Sequence, residues 1–261
     1  MASPEITPES GETGDGPRAG TASFLVLANR LPVRRVTGVD GTGWETSPGG
    51  LVTALAPLLA GRTDAQWLGW SGTTGTDEDG SIEVDGISLV PVPLSRGEVE
   101  LFYEGFANRT LWPLYHDSIV RSEYHRTWWD AYRTVNRRFA KAAAMWAAPG
   151  AAVWVHDYHL QLVPGMLREL RPDLRIGFFL HIPFPPVELF LQLPWRHTIT
   201  EGLLGADVVG FQTEGGAANF RRLAGLVTEA EVNDHEVTMR GRSVRVETFG
   251  IGVDTKTLES M

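Results

Sequence analysis

The feature that most constrains the fold is a series of short, almost continuously apolar runs separated by segments with helical periodicity. A run that is apolar along its whole length is typical of a strand covered on both faces, because both alternating sets of side chains are then buried. The order of strands and helices predicts an α/β fold, with a parallel sheet and helices on both faces. The predicted strands are Phe24–Ala28, Gln66–Trp70, Ile87–Pro91, Ala152–His156, Ile176–Leu180 and Asp207–Phe211.

The segments between these runs predict helices. The clearest helix covers Ser122–Ala147, where aromatic and branched side chains recur every three, four or seven residues and form one apolar stripe. Another helix is predicted to start at Ser95, because Glu98 follows three residues later and the two form a capping-box pattern. The remaining predicted elements are the helices Leu51–Leu59 and His159–Leu170 and a strand over Val244–Thr248.

The composition bounds the class of protein and its partners. Residues 1–22 are rich in Gly, Ser, Thr, Pro and Glu and predict a disordered tail before one domain over residues 23–254. No apolar run is long enough to span a bilayer, and cysteine is absent, which favours a cytoplasmic protein. The net charge of −9 argues against nucleic acid or an acidic membrane as a partner, because those surfaces would repel the chain.

Polar side chains stand just past the carboxyl ends of three predicted strands. Asn29 and Arg30 follow the first strand, Asp157 follows Ala152–His156, and His181 follows Ile176–Leu180. Ligands of open α/β sheets bind at that edge. A single polar residue there is more often a cap or a turn residue, but three together favour a binding site without identifying the ligand.

A glycine pair opens the apolar segment Leu51–Leu59. In the sequence Ser47-Pro48-Gly49-Gly50-Leu51, unhindered backbone N–H groups at a helix start could face an anion. Gly49 and Gly50 are therefore candidates for binding phosphate, with an ordinary loop as the alternative. The G-x-G-x-x-G fingerprint is missing after the first strand, which argues against a dinucleotide enzyme.

Four aromatic side chains form a further candidate element: Trp67, Trp70, Tyr103 and Trp112. Sugars pack their C–H faces on aromatic rings, and Tyr103 and Trp112 have the polar neighbours expected in a sugar pocket, whereas Trp67 is predicted to be a core residue. The histidines of the second half of the chain have no spacing typical of a metal site, so no metal or cofactor is predicted. A serine hydrolase is not supported either, because no G-x-S-x-G motif occurs.

Eight motifs occur in order between Phe24 and Asp254. They are Ala28–Pro32, Ser47–Leu51, Trp70–Gly72, Tyr103–Phe106, Leu111–Pro113, Trp154–Leu160, Gly177–Pro185, and Gly205–Asp207 with Gly210–Thr213. In type and order they resemble the motifs of trehalose-6-phosphate synthases. The resemblance implies a two-domain glycosyltransferase of the GT-B type, in which an N-terminal Rossmann-like domain holds glucose 6-phosphate and a C-terminal domain holds most of a nucleotide sugar, expected to be UDP-glucose.

The resemblance also implies roles for individual residues. Arg30 would contact the phosphate of glucose 6-phosphate, Tyr103 and Asp157 would bind its sugar, and Trp112 would shape the pocket. On the donor side, Gly49 and Gly50 would approach the pyrophosphate. His181 would contact the donor glucose and help to set α selectivity. Asp157 and His181 are accordingly the candidate catalytic residues.

The implied reaction is transfer of glucose with retention, without an enzymic nucleophile and without a metal. The acceptor hydroxyl would attack on the face that the nucleotide leaves, and cationic side chains of the C-terminal domain would stabilise the leaving phosphate. Those side chains are expected beyond Met261, so Thr255–Met261 would begin a second domain and the chain alone would be inactive. Gly250 stands where the family usually has proline.

Two alternatives remain open at this stage. One is a sugar-phosphate-binding module without catalysis, and the other is a related transferase with a different acceptor, such as a cyclitol. The identity of the nucleotide and the formation of a homo-oligomer are left open by the sequence.

Overall fold

The computed structural model of the chain describes residues 19–38, 41–47, 50–75 and 80–250. In chain order its strands are β1 Ala22–Arg30, β2 Val33–Gly38, β3 Gly41–Thr46, β4 Ala65–Trp70, β5 Ile82–Val84, β6 Ile87–Pro91, β7 Ala147–His156, β8 Arg175–Leu180, β9 Val208–Phe211, β10 Glu231–Val232, β11 Glu236–Met239 and β12 Arg242–Thr248.

The helices connect these strands. They are α1 Gly50–Leu59, α2 Arg96–Glu98, α3 Trp112–Tyr115, α4 Arg126–Trp146, α5 Val163–Leu170, α6 Val187–Phe190, α7 Arg196–Leu203 and α8 Glu214–Val227, with a π-helical segment over Val99–Leu111 and a 3₁₀ turn over Tyr158–Leu160. None of the helices in the described ranges combines the length and the apolar character needed to cross a membrane.

One ten-stranded sheet organises the molecule, in the order β10-β11-β12-β9-β8-β7-β1-β4-β6-β5. The strands from β12 to β6 pair in parallel, and β5, β10 and β11 add antiparallel edges. Successive strands leave β1 in one direction through β4 and β6, and then in the other direction through β7, β8 and β9. The order of strands therefore reverses between β1 and β7, which is where an open α/β sheet binds ligands.

The two faces of the sheet are covered unequally. Alternate residues of β1 point to opposite faces: Leu25 and Leu27 join a large core that contains buried residues of α4, α5, α7 and α8. Val26 and Ala28 join a smaller core beneath α1. The predicted parallel sheet with helices on both faces is confirmed, with α1 packed on one face and α4, α5, α7 and α8 on the other.

Local signals located most elements correctly. All six predicted strands are present, the long helix is α4, and the capping box is formed, with the Ser95 N–H donating to Glu98 Oε2 at 2.9 Å and the Glu98 N–H donating to Ser95 Oγ at 3.3 Å. Residues 1–18 and 251–261, which include most of the predicted tail and the expected start of a second domain, lie outside the described residues.

The predicted helix His159–Leu170 is wrong at its beginning, because α5 starts only at Val163. Side chains of α4 bind the backbone of the preceding turn: Tyr132 Oη donates to the Tyr158 carbonyl at 2.8 Å, and Asn136 Nδ2 donates to the His159 carbonyl at 3.0 Å. Because those carbonyls are satisfied from another helix, the turn needs no helical hydrogen bonds of its own.

Candidate functional site

A polar cleft of about 480 Å³ lies at the point where the order of strands reverses. The carboxyl end of β1, the turn after β7, the residues around the start of α1 and the π-helical segment surround it. Its lining includes Asn29, Arg30, Arg34, Ser47, Leu51, Tyr103, His156, Asp157, Tyr158 and His159.

Arg30 ends β1 and supplies a cation that lines the cleft. Its guanidinium carbon lies 4.6 Å from the centre of the Trp70 ring, a cation–π contact. Gly72, at φ +93°, lies on the guanidinium so closely that a Cβ there would stand 2.1 Å from Arg30 Nη2. Partial burial lowers the pKa of Arg30, Tyr103 opposes this shift, and the group remains a cation. Arg30 makes no ion pair with another residue of the described ranges, so its charge is available to an anion.

Asp157 faces the same cleft from the turn after β7. Its backbone is in an unusual conformation, with φ 69° and ψ 170°, a region normally reserved for glycine. Its N–H donates to the Phe179 carbonyl at 2.8 Å, and its Oδ1 accepts from the His181 N–H at 3.2 Å. Burial raises the pKa of Asp157 to about 6, although the N–H groups of Tyr158 and His181 oppose the shift. A carboxylate held in this way favours a ligand that donates hydrogen bonds to it.

Aromatic rings form one wall of the cleft. Tyr103 stacks on His159, with ring centres 5.8 Å apart and planes at 16°, and meets Trp70 edge-on at 6.0 Å. Trp112 is 43% exposed and contacts Tyr158, which lines the cleft, at 5.7 Å between ring centres, so it stands behind the wall at the surface. Trp67 is 1% exposed, which confirms its assignment to the core.

His181 lies in a second, apolar cleft of about 490 Å³. This cleft runs over the ends of β7, β8 and β9, and Leu51 and His156 line both clefts and separate them. His181 Nε2 lies 2.9 Å from Nδ1 of the buried His156. Burial lowers the pKa of His181 to about 4, and burial together with the charge of His181 lowers the pKa of His156 to about 3. Both rings are therefore neutral at pH 7.

The glycine pair is described only in part. Gly49 lies outside the described residues, and Gly50 is the first residue of α1. A Cβ at Gly50 would have no heavy atom within 4 Å, so packing against the described residues does not demand glycine there. Ser47 and Leu51, on either side of the pair, both line the polar cleft.

Several polar atoms at the cleft are buried without a hydrogen-bond partner in the described structure. Asn29 Oδ1, His156 Nε2 and His159 Nε2 are such atoms, and all three residues line the polar cleft. No site role was predicted for His156 or His159, and Asn29 was predicted only as one of the polar residues just past a strand end. The sequence signal that could have identified these three residues is their position beside Arg30 and Asp157 in the motifs. Among the described residues, no three acidic or histidine side chains are grouped as a metal site requires.

Comparisons with known proteins give a consistent result. Residues 22–261 match the profile of glycosyltransferase family 20. A trehalose-6-phosphate synthase of Mycolicibacterium gilvum is 57% identical over 265 residues, which cover 96% of this chain and 52% of that protein. Among solved structures, one from E. coli bound with UDP-2-fluoro glucose has a TM-score of 0.76 and 31% identity, with 91% of this chain and 50% of that chain covered.

An α,α-trehalose-phosphate synthase (UDP-forming) from Burkholderia xenovorans, in complex with glucose-6-phosphate, has a TM-score of 0.74 and 28% identity, with 88% of this chain and 49% of that chain covered. The chain thus spans about half the length of the relatives it matches. On the strength of the profile match over nearly the whole chain, together with the sheet order and the cleft, the chain belongs to glycosyltransferase family 20.

Proposed function

We propose that this chain is the acceptor-binding part of a trehalose-6-phosphate synthase, which transfers glucose from a nucleotide sugar to glucose 6-phosphate with retention of configuration. Membership of glycosyltransferase family 20 and the similarity to trehalose-6-phosphate synthases support the reaction type. The relative bound with UDP-2-fluoro glucose supports UDP-glucose as the donor, and the relative in complex with glucose-6-phosphate supports the acceptor.

The observation that carries the proposal is the pairing of Arg30 with Asp157 in one cleft. Arg30 offers a planar, forked cation that can bind two phosphate oxygens, and Asp157 offers a carboxylate that accepts from hydroxyl groups. Tyr103, in the same cleft, would supply an aromatic ring for the sugar. A phosphate at one end and several hydroxyls at the other is the chemistry of a sugar phosphate.

The remaining site residues take roles on either side of the acceptor. Trp112 would shape the outer part of the acceptor pocket behind Tyr158. The Gly49-Gly50 pair would bring backbone N–H groups of the α1 start to the donor pyrophosphate. His181 would contact the donor sugar from the apolar cleft.

Catalysis by such a site consists of positioning and electrostatic stabilisation. Asp157 would orient the acceptor so that its hydroxyl attacks the donor carbon on the face that the nucleotide leaves, and no enzymic nucleophile and no cofactor is needed. The proposal includes one acceptor-binding domain over residues 23–254 and a cytoplasmic location, for which the absence of cysteine is the supporting observation.

Replacement of Arg30 tests the phosphate assignment. We expect Arg30→Ala to weaken binding of glucose 6-phosphate to this chain at least about tenfold, because a charge-assisted contact of roughly 1.5 kcal/mol or more is lost. Binding of glucose should change less than about threefold, because glucose lacks the phosphate. Arg30→Lys should fall between, since it keeps the charge and loses the fork. Calorimetric titration with both sugars measures these differences.

Arg34→Ala is the matched control. Arg34 also lines the cleft, but its guanidinium already pairs at 3.1 Å with Glu45, its neighbour across the antiparallel strands β2 and β3, so its removal should change glucose 6-phosphate binding less than about threefold. Equal losses for glucose and glucose 6-phosphate on Arg30→Ala would contradict the assignment. Tighter binding of a cyclitol phosphate than of glucose 6-phosphate would instead indicate a related transferase with another acceptor.

A further inference from the structure

The contact between His156 and His181 joins two neighbouring strands at the boundary of the two clefts. His156 is the last residue of β7 and is fully buried, and His181 follows the last residue of β8. Their rings meet at 2.9 Å between His156 Nδ1 and His181 Nε2, which is a hydrogen-bond distance. In the proposed function His181 contacts the donor sugar, whereas His156 has no role.

The backbone of His181 is held independently of this contact. Its N–H donates to Asp157 Oδ1 at 3.2 Å, and its carbonyl accepts from Gln212 Nε2. What these bonds leave undetermined is the orientation of the imidazole and the nitrogen that carries its proton. The hydrogen bond to His156 decides both, because a neutral imidazole has one donor and one acceptor nitrogen.

Two arrangements satisfy a single hydrogen bond between the neutral rings. In the first, His156 Nδ1–H donates to His181 Nε2, so that His181 carries its proton on Nδ1 and His156 Nε2 is a bare lone pair. In the second, His181 Nε2–H donates to His156 Nδ1, so that His156 carries its proton on Nε2. The difference between them therefore appears at His156 Nε2.

His156 Nε2 is buried and has no hydrogen-bond partner in the described structure. The second arrangement would put an N–H at that place, and a buried donor without an acceptor is the rarer and more unfavourable of the two defects. The first arrangement leaves only an unused lone pair. We propose that His156 is a positioning residue that donates its Nδ1–H to His181 and holds His181 in the Nδ1–H tautomer.

The consequence for the site is a defined hydrogen-bond polarity. With Nε2 occupied by His156, His181 offers Nδ1–H to a ligand in the apolar cleft, and this donor is matched by an oxygen with a free lone pair, such as a sugar hydroxyl or ring oxygen. His181 would then act as a neutral donor and not as a general base. This ligand rests on the proposed function, but the tautomer does not, because it follows from the protein alone.

Long-range ¹H–¹⁵N spectra of this chain, labelled with ¹⁵N in histidine, test the proposal without a ligand. At pH 7 we expect the His181 signals to show a protonated Nδ1 and an unprotonated Nε2, and His156 to show the same pattern. His181→Gln identifies the signals of His181. The exposed His235, with 75% of its side chain accessible, serves as an internal reference that all variants should leave unchanged.

Two substitutions of His156 separate positioning from packing. His156→Asn places an amide N–H where Nδ1–H was and should keep His181 protonated on Nδ1. His156→Leu removes the donor and should move the proton of His181 to Nε2 in most molecules. A wild-type His181 protonated on Nε2 would overturn the proposal even if the leucine variant failed to fold, and so would an unchanged tautomer in a folded leucine variant. Neither result affects the Arg30 test of the proposed function.

Discussion

At the scale of single residues, Asp157 combines two features that oppose folding. Its backbone at φ 69° and ψ 170° is strained for a residue with a Cβ, and its carboxylate is partly buried without an ion-pair partner among the described residues. Features of this kind persist at sites where a ligand relieves them, and Asp157 lines the polar cleft. The stability of the protein should therefore respond to the charge of this one side chain.

The sign of that response follows from the pKa of Asp157. Burial raises it to about 6, above the value of about 3.9 expected in the unfolded chain, so the folded state prefers the protonated form. This contribution to stability is present below about pH 4 and is lost as the pH rises through about 6. We expect Asp157→Asn to raise the free energy of unfolding by roughly 2 kcal/mol at pH 7.5 and to leave it unchanged at pH 4. Urea unfolding at both pH values measures the difference.

Asp173 provides a control of opposite sign. Its side-chain hydrogen bonds with Arg171 lower its pKa, so its charge favours the folded state. Asp173→Asn should lower stability at pH 7.5 and not raise it. A stabilisation by Asp157→Asn that is equal at pH 4 and pH 7.5 would show that strain or packing, and not the carboxylate charge, causes the effect.

At the scale of secondary structure, the site depends on the continuous helical segment from α2 to α3. Its π-helical part carries Tyr103, and Trp112 begins α3. Its approach to α4 requires Gly105, because a Cβ there would lie 2.8 Å from the Trp128 ring. Long π-helical stretches are uncommon and often occur at functional sites, which fits the position of this one beside the cleft.

The carboxylate of Glu98 stabilises the start of this segment. Glu98 closes the capping box with Ser95 and also receives both Nη1 and Nη2 of Arg138 from α4, at 2.9 and 2.6 Å. Burial alone would raise the pKa of Glu98, but Arg138 and the Ser95 N–H outweigh it and the pKa is lowered. The charged form of Glu98 therefore stabilises the fold.

Removal of the Glu98 carboxylate should destabilise the fold more than removal of the neighbouring Glu100 carboxylate. We expect Glu98→Ala to lower the free energy of unfolding by roughly 2 kcal/mol, because a cap and a partly buried ion pair are both lost. Glu100→Ala is the control, since its pair with Arg96 is exposed and should contribute less than about 0.5 kcal/mol. Chemical unfolding measures the stability of both variants. A similar loss of stability in the two would refute the stabilising role of Glu98.

At the scale of the whole molecule, the larger of the two cores continues along the sheet, and the clefts lie at the carboxyl edge of the sheet. Residues as distant in sequence as Ala22 and Val246 belong to the same buried cluster. Within the described residues, the polar cleft offers a cation, a carboxylate and an aromatic ring. The relatives that the chain matches are about twice as long.

Because the chain spans only about half the length of its relatives, we predict that binding of the acceptor can be separated from transfer of glucose. We expect the 261-residue chain alone to bind glucose 6-phosphate, and to form trehalose 6-phosphate at least about 10²-fold more slowly than a full-length relative, because the family resemblance implies that residues outside this chain stabilise the leaving phosphate. Product formation from UDP-glucose and glucose 6-phosphate, with a full-length relative as the positive control, measures the rate. Turnover close to that of the relative would contradict the assignment of the chain to the acceptor side.

The amino-acid sequence by itself determined the elements whose causes are local or repeated. Fully apolar runs located the strands, the Ser95–Glu98 pair located a helix start, and the polar residues at strand ends located Arg30, Asp157 and His181. The family resemblance, carried by long motifs, predicted the family that the comparisons confirm. These features can be predicted from the sequence because they depend on residues a few positions apart or on complete sequence motifs.

Only the tertiary structure decided how distant residues meet. The late start of α5 depends on Tyr132 and Asn136 of another helix, and the separation of Asp157 and His181 into two clefts depends on His156 between them. The spacing of residues along the chain does not predict such contacts, because they join residues that are distant in sequence. They arise when strands adopt their order in the sheet and buried polar atoms must find partners across it.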